Sequence, residues 1–186
     1  MRADARANRE AIILGATHQI AAHGADVPFS AIAEDAGVGI ATLYRNFPTR
    51  EELVLAVLES FRDRALEIVE RYRPLVDRDP AAGWEAFARA LADLHPGALV
   101  TAFSREFVTG DGLSEDLQTQ RADLLGAVQD LIDRAARAGV VRRDLTATEF
   151  QMGIALITRP LPDVAVPDLA EHQAWLIDVY LQGLRA

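Results

Sequence analysis

The chain has 186 residues and a formal net charge of −9; half of it is apolar, enough for a substantial core without disulfides. It contains no cysteine, which excludes disulfide scaffolds, thiol catalysis and thiolate metal sites and fits a cytoplasmic protein. The charged start MRADARANREAI has no apolar core of a signal peptide, and no apolar run approaches the roughly 18 residues of a membrane span.

Taken in order, the apolar spacing predicts about nine helices and no convincing strand, an all-α fold. The first helix is expected over about Asp4 to His23, with Ile13, Ala16 and Ile20 inward and Gly24 closing it. In the run FSAIAEDAGVGIATLYRNFPTREEL, Phe29, Ile32, Ala33 and Ala36 share one helical face. Pro28 suits the first position of that helix and Gly37 the left-handed turn that ends it. Leu43 and Phe47 lie one turn apart on the next short helix and point back into a small core. Ala41, Thr42, Arg45 and Asn46 share its opposite face, and Pro48 stops it. Two short helices around a glycine turn are a helix-turn-helix unit, and the small, polar, basic outer face has the shape for a major groove.

Thr49 and Glu52 form the start of a capped fourth helix. Arg50 then stands at a helix N-terminus, a position that favours an anion such as phosphate. From Ala36 to Arg50 there is no acidic side chain, and Arg45 and Arg50 are both present. Residues 1–50 hold five arginines and five acids and are neutral, so the remainder carries the whole −9. A neutral head on an acidic body orients on a polyanion head first, with modest, salt-sensitive non-specific affinity.

The fourth helix carries Leu53, Val57, Phe61, Ile68 and Tyr72 on one stripe, with Pro74 as its expected end. Asp79-Pro80 opens a fifth in cap-then-proline order, with Trp84, Phe87, Leu91 and Leu94 inside and Pro96-Gly97 as its break. A short sixth carries Leu99, Phe103 and Phe107. A seventh, capped by Ser114, carries Leu117, Leu124, Val128 and Leu131 and ends at Gly139. Thr146 and Glu149 make a second capping box for an eighth, which runs to about Thr158. Pro160, Pro162 and Pro167 punctuate a rigid loop, and a ninth fills Asp168 to Leu184.

The ninth helix is apolar nearly all round, with Trp175, Leu176, Ile177, Val179, Tyr180 and Leu181, so it needs cover on two sides. Either it is central to the monomer, or a second copy covers it. With Phe150, Ile154 and Ile157 of the eighth helix, Trp175, Leu176, Val179 and Tyr180 would then form a four-helix dimer interface. Phe61, Trp84, Phe87, His95, Phe103, Phe107, Gln120 and Met152 are candidates to line a small-molecule cavity among the middle helices, though their spacing is equally that of core residues. The catalytic inventory is thin. His18 and His23 lack metal-site spacing, and the sequence has no glycine-rich phosphate loop, HExxH or GxSxG. No cofactor, catalytic group or metal site is expected.

The segment AGVGIATLYRNFPTREEL resembles the DNA-binding signature of the TetR family of one-component regulators. Ile32-Ala33, Ala36-Gly37-Val38, Leu43-Tyr44, Phe47, Arg50 and Leu53 match at the right spacing. The motif covers about a quarter of the chain; the rest matches in length and helical layout.

The resemblance implies that Thr42 and Tyr44 give hydroxyls to phosphates, that Arg50 clamps a phosphate, and that positions 40, 41, 45 and 46 face the groove. There Arg45 would pair with a guanine, Asn46 with an adenine, and Ala41 would touch a thymine methyl. Arg6 and Arg9 would reach backbone or minor groove. Two positions depart or stay open: Gly39 replaces a common serine, and Ile40 shares a stripe with Leu43 and Phe47, so it faces either core or groove. The resemblance further implies a homodimer on double-stranded DNA at a palindromic operator, a small-molecule effector that displaces the fourth helix, and a repressor by default. The expected organisation is a head over 1–47, a linking helix over 48–73 and a sensing and dimerising body over 74–186. The alternatives are a helix-turn-helix protein with no small-molecule ligand and a helical interaction module.

Overall fold

The computed structural model describes residues 2–24, 26–100, 115–160 and 169–186. They form nine helical segments: α1 (Arg2–His23), α2 (Phe29–Asp35), α3 (Ile40–Asn46), α4 (Arg50–Arg78), α5 (Pro80–Ala92), α6 (96–100), α7 (Glu115–Arg137), α8 (Ala147–Ile157) and α9 (Leu169–Gly183). The fold is all-α; among the described residues the sole β-type pairing is one isolated bridge between Val141 and Arg185.

Apolar side chains gather into two clusters. The smaller joins α1–α3 and the first turns of α4 through Ile12, Ala16, Ile20, Ile32, Leu43, Phe47, Leu53 and Val57. The larger joins α4, α5, α7, α8 and α9 through Val69, Trp84, Phe87, Leu131, Ile132, Phe150, Ile154 and Leu181. Phe61, half-buried on α4, touches both. Within α1 Ile12 and Ile20 are fully buried, and the expected Ile13 is half-buried beside Ile12. Pro28 is the N-cap of α2 rather than its first residue. Gly37 takes φ +65, the left-handed turn that α2–α3 requires.

Local expectations hold where a cap sets the boundary. Thr49 Oγ1 accepts from the Glu52 N–H, Asp79 Oδ1 from the Ala82 N–H, and Thr146 and Glu149 complete a reciprocal box. The end of α4 does not hold. The helix passes through Pro74 and stops at Arg78. A proline inside a helix costs about 3 kcal/mol. Here the extra turn buries Val76, whose backbone N would lie 2.4 Å from a Cβ added at Gly83 of α5. That close α4–α5 packing offsets the lost hydrogen bond. Likewise α5 ends at Ala92, before Pro96-Gly97, and the turn falls on His95 at φ 52. The expected Ser114 cap, Phe103, Phe107 and most of the proline loop lie outside the described residues.

Candidate nucleic-acid interface

Leu43 and Phe47 are fully buried, so the opposite side of α3 faces outward. Ala41 and Arg45 are exposed, and Thr42 is half-buried beneath them. Arg45 Nη2 donates to Thr42 Oγ1 at 2.9 Å, which holds the guanidinium along the outer face. Tyr44 is 52% exposed, its ring tilted against Phe29 at 5.2 Å, so the phenol is braced at its base and free at its tip. Ile40 is 44% exposed, which settles its open assignment: it stands outside the core.

Two expected groove residues are more committed than their sequence positions suggest. Asn46 is half-buried, and its Nδ2 donates to the Thr42 carbonyl at 2.8 Å. Arg50 donates to the Val27 carbonyl and stands 5.4 Å from the Phe29 ring centroid. It therefore ties the start of α4 to the segment before α2. Arg6 pairs with Glu10 on α1 at 2.8 Å. Arg9 lies 4.3 Å over the Phe47 ring, with Nη1 3.4 Å from the Asn46 carbonyl, at the negative end of α3's backbone dipoles. The spacing exposed these donors but not where they are spent. The chemically open surface is Ile40, Ala41, Tyr44 and Arg45, with no carboxylate from Ala36 to Arg50.

In the body, Trp84 and Phe87 are buried against Phe150, Trp84 tilted with its centroid 4.9 Å away and Phe87 stacked at 6.0 Å. Trp84 Nε1 is buried and has no hydrogen-bond partner among the described residues. His95 is exposed, its Nδ1 2.9 Å from the Asp93 carbonyl oxygen, and Gln120 is half-buried. Met152 is 55% exposed on the outer face of α8, so it does not join these aromatics as expected. A shallow groove of about 220 Å³ runs between α1 and α4, lined by Glu10, Ile13, Leu14, Thr17, Ser60 and Arg64, none of them an expected ligand residue. Among the described residues no cluster of three or more metal-binding side chains occurs.

Residues 12–57 match the family model of bacterial regulatory proteins of the tetR family, and residues 79–186 match the C-terminal domain of SbtR-like transcriptional regulators. The chain belongs to the TetR family. It is a DNA-binding transcriptional regulator of that family. The TetR regulator SCO0520 of Streptomyces coelicolor is 31% identical, with 95% of this chain and 98% of that one covered and a TM-score of 0.67. A TetR regulatory protein of Mycobacterium vanbaalenii is 30% identical, covering 100% and 99% at a TM-score of 0.59. A TetR regulator of Marinobacter aquaeolei shares the fold at 16% identity, covering 100% and 99% at a TM-score of 0.60. No curated protein matches the chain.

The faces of α8 and α9 correct one expectation. Phe150 and Ile154, expected at a dimer interface, are both fully buried inside this chain, and Ile157, expected there too, packs half-buried on the same core. Tyr180 is also turned inward. It stacks 6.3 Å from Phe150 and donates to the Glu149 and Phe150 carbonyls. Burial pushes its hydroxyl pKa up to about 12. The outward apolar stripe of α8 is Met152 with Leu156, which is 67% exposed. On α9, Trp175, Leu176 and Val179 are exposed as expected, Trp175 by 60%. The signal for Leu156 was in the sequence: it lies one turn from Met152, on the side opposite Phe150 and Ile154. Among the described residues no helix is long and apolar enough to cross a membrane.

Proposed function

We propose that the protein is a homodimeric repressor. Two copies pair through the outer faces of α8 and α9, offer two α3 helices to a palindromic operator, and release it when a small-molecule effector binds in the body. Ala41, Thr42, Tyr44 and Arg45 would carry the DNA contacts, with Asn46 and Arg50 joining by leaving their present partners. The division into a head over 1–47, a link over 48–73 and a sensing body over 74–186 is part of the same reading, although α4 itself continues to Arg78. The regulator would act in the cytoplasm by binding, as members of its family generally do, rather than by catalysis.

The observation that carries the reading is the apolar stripe. Met152, Leu156, Trp175, Leu176 and Val179 are large, apolar and exposed on two helices that pack side by side. Such a patch marks a surface that another apolar surface covers. The same face on a second copy satisfies it across a two-fold axis, and a two-fold pair of reading heads calls for a two-fold DNA site. The effector part draws support from Trp84, whose buried indole N–H is a donor without an acceptor among the described residues.

Sedimentation of the full chain tests the pairing. The expected wild-type species is a dimer. Introducing Leu156→Asp with Trp175→Asp should give folded monomers that no longer hold a palindromic duplex selected by the wild type. A monomeric wild type, or a double variant that stays dimeric, would sink this reading. A compound that raises thermal stability while releasing the duplex would establish the effector site.

A further inference from the structure

The first turn of α6 makes two unlike contacts within three residues. On one side Gly97 lies against the C-terminal end of α8. A Cβ added there would stand 2.1 Å from the Ala155 carbonyl oxygen and 2.6 Å from the Arg159 N, so no side chain fits without moving backbone. The Gly97 N–H is one of the four that a helix start leaves without an intrahelical acceptor. It donates to Thr158 Oγ1 at 3.1 Å. The same hydroxyl donates to the Ile154 carbonyl at 2.8 Å, which fixes its lone pairs toward Gly97. Thr158 is 3% exposed and is the one buried polar side chain among the described residues. On the other side, the next two residues, Ala98 and Leu99, belong to the head cluster with Ile12, Phe47, Leu53 and Val57.

We propose that Thr158 is a positioning residue for the DNA-reading head. Its hydroxyl holds α6 against α8, and Ala98 and Leu99 carry that position into the head core. The path is short and stiff: one hydrogen bond, one backbone-to-backbone packing contact and two buried side chains. It enters the head cluster where the first turns of α4 also contribute Leu53 and Val57. On the dimer reading above, α8 is also the helix that meets the second copy, so this joint links the orientation of the head to the pairing face. The proposal rests on that reading only in this last respect; the joint itself lies within one chain.

The test uses the full-length chain with three substitutions. Thr158→Val keeps the shape and removes the hydroxyl that accepts from the Gly97 N–H. Thr158→Ser restores the hydroxyl. Gly97→Ala drives α6 and α8 apart by steric contact alone. Amide hydrogen exchange is read separately over Leu43–Val57 of the head and Ile177–Leu181 of α9, sedimentation reads the dimer, and a duplex selected by the wild-type protein reads DNA affinity. Thr158→Val and Gly97→Ala should each speed head exchange about tenfold, as expected for the loss of one buried hydrogen bond or a displaced joint. They should weaken duplex binding by a similar factor, with α9 exchange and dimer mass unchanged. Thr158→Ser should return both readouts close to wild type. Head exchange that stays at the wild-type rate, or rises no more than that of α9, would show a merely structural threonine and overturn the proposal. A wild-type chain that sediments as a monomer would sink the dimer reading, while the head-exchange comparison would still decide the joint.

Discussion

The head cluster around Leu43 and Phe47 and the body cluster around Phe87 and Phe150 have similar interiors, yet they leave different residues on their surfaces. Outside the head core stand Ala41, Tyr44 and Arg45, small or hydrogen-bonding and cationic. Outside the body core stand Met152, Leu156, Trp175 and Val179, which have little use for water or phosphate. The buried residues of each region account for its stability. What burial leaves over suits a different partner at each end: a polyanion at the head and, on the dimer proposed above, a like apolar surface at the body.

The largest expected effects fall on the cores and test whether the two clusters are separable. Phe47→Ala and Phe87→Ala each remove a fully buried ring and should each cost about 3–5 kcal/mol. Both tryptophans, Trp84 and Trp175, lie in the body, so fluorescence reports the body while far-ultraviolet dichroism reports every helix. Phe47→Ala should lower the dichroism midpoint and leave the fluorescence midpoint nearly in place. Phe87→Ala, whose ring lies 5.8 Å from that of Trp84, should move both. Equal shifts of the fluorescence midpoint in the two variants would mean that Phe61, Ala98 and Leu99 fuse the clusters into one cooperative unit.

The next contrast lies within the head, between side chains that face out and those already spent. If Arg45 meets base edges, Arg45→Ala should weaken binding to the selected duplex by about 1–3 kcal/mol at fixed salt. Its effect on stability should stay within about 0.5 kcal/mol. Tyr44→Phe should lose less, about 1 kcal/mol for one hydroxyl. Arg50→Ala should behave differently. Its guanidinium caps the Val27 carbonyl and covers Phe29, so the melting temperature should fall even without DNA. An Arg45→Ala variant that binds as wild type would remove the outer face of α3 from the interface.

The same contrast explains what was legible in the sequence. The head was legible because its information is local. Gly37 needs its turn, Leu43 and Phe47 need one core, and Thr49 needs the start of α4; each is decided within a few residues. The phase of α8 was not, because Phe150, Ile154 and Ile157 on one side and Met152 and Leu156 on the other are all apolar. Periodicity cannot choose between two apolar stripes. The choice is tertiary: the Tyr180 ring occupies the place where a Cβ at Gly153 would stand, so that side of α8 must face inward. Pro74 misled for a related reason, since the rule that proline ends helices is local and the α4–α5 packing that overrides it is not. Asn46 and Arg50 show a third limit: a sequence counts donors, and only the fold shows which acceptors they already serve.

The smallest effect concerns the start of α8, where a purely local device supports the body. Glu149 accepts from the Thr146 N–H at 2.9 Å and from the Thr146 hydroxyl at 2.8 Å, with Arg142 at 3.3 Å. These bonds, that from the Thr146 backbone foremost, hold its carboxyl below the ordinary value of 4.5. A depressed folded value means that the folded state resists protonation. The stabilisation is therefore complete above the ordinary value and is lost as pH falls through the lowered one. Asp130 is depressed as well, chiefly by its hydrogen bond from Arg134, so Glu149→Gln should flatten only part of the acid limb. Thr146→Ala, which removes the hydroxyl cap, should cost about 1 kcal/mol at neutral pH. Both should shift the fluorescence midpoint with little effect on duplex affinity, because the box lies in the body and its bonds end within α8 and the turn before it. An acid limb unchanged in Glu149→Gln would assign the whole slope to Asp130 and its arginines, and would leave the α8 cap as a neutral hydroxyl contact alone.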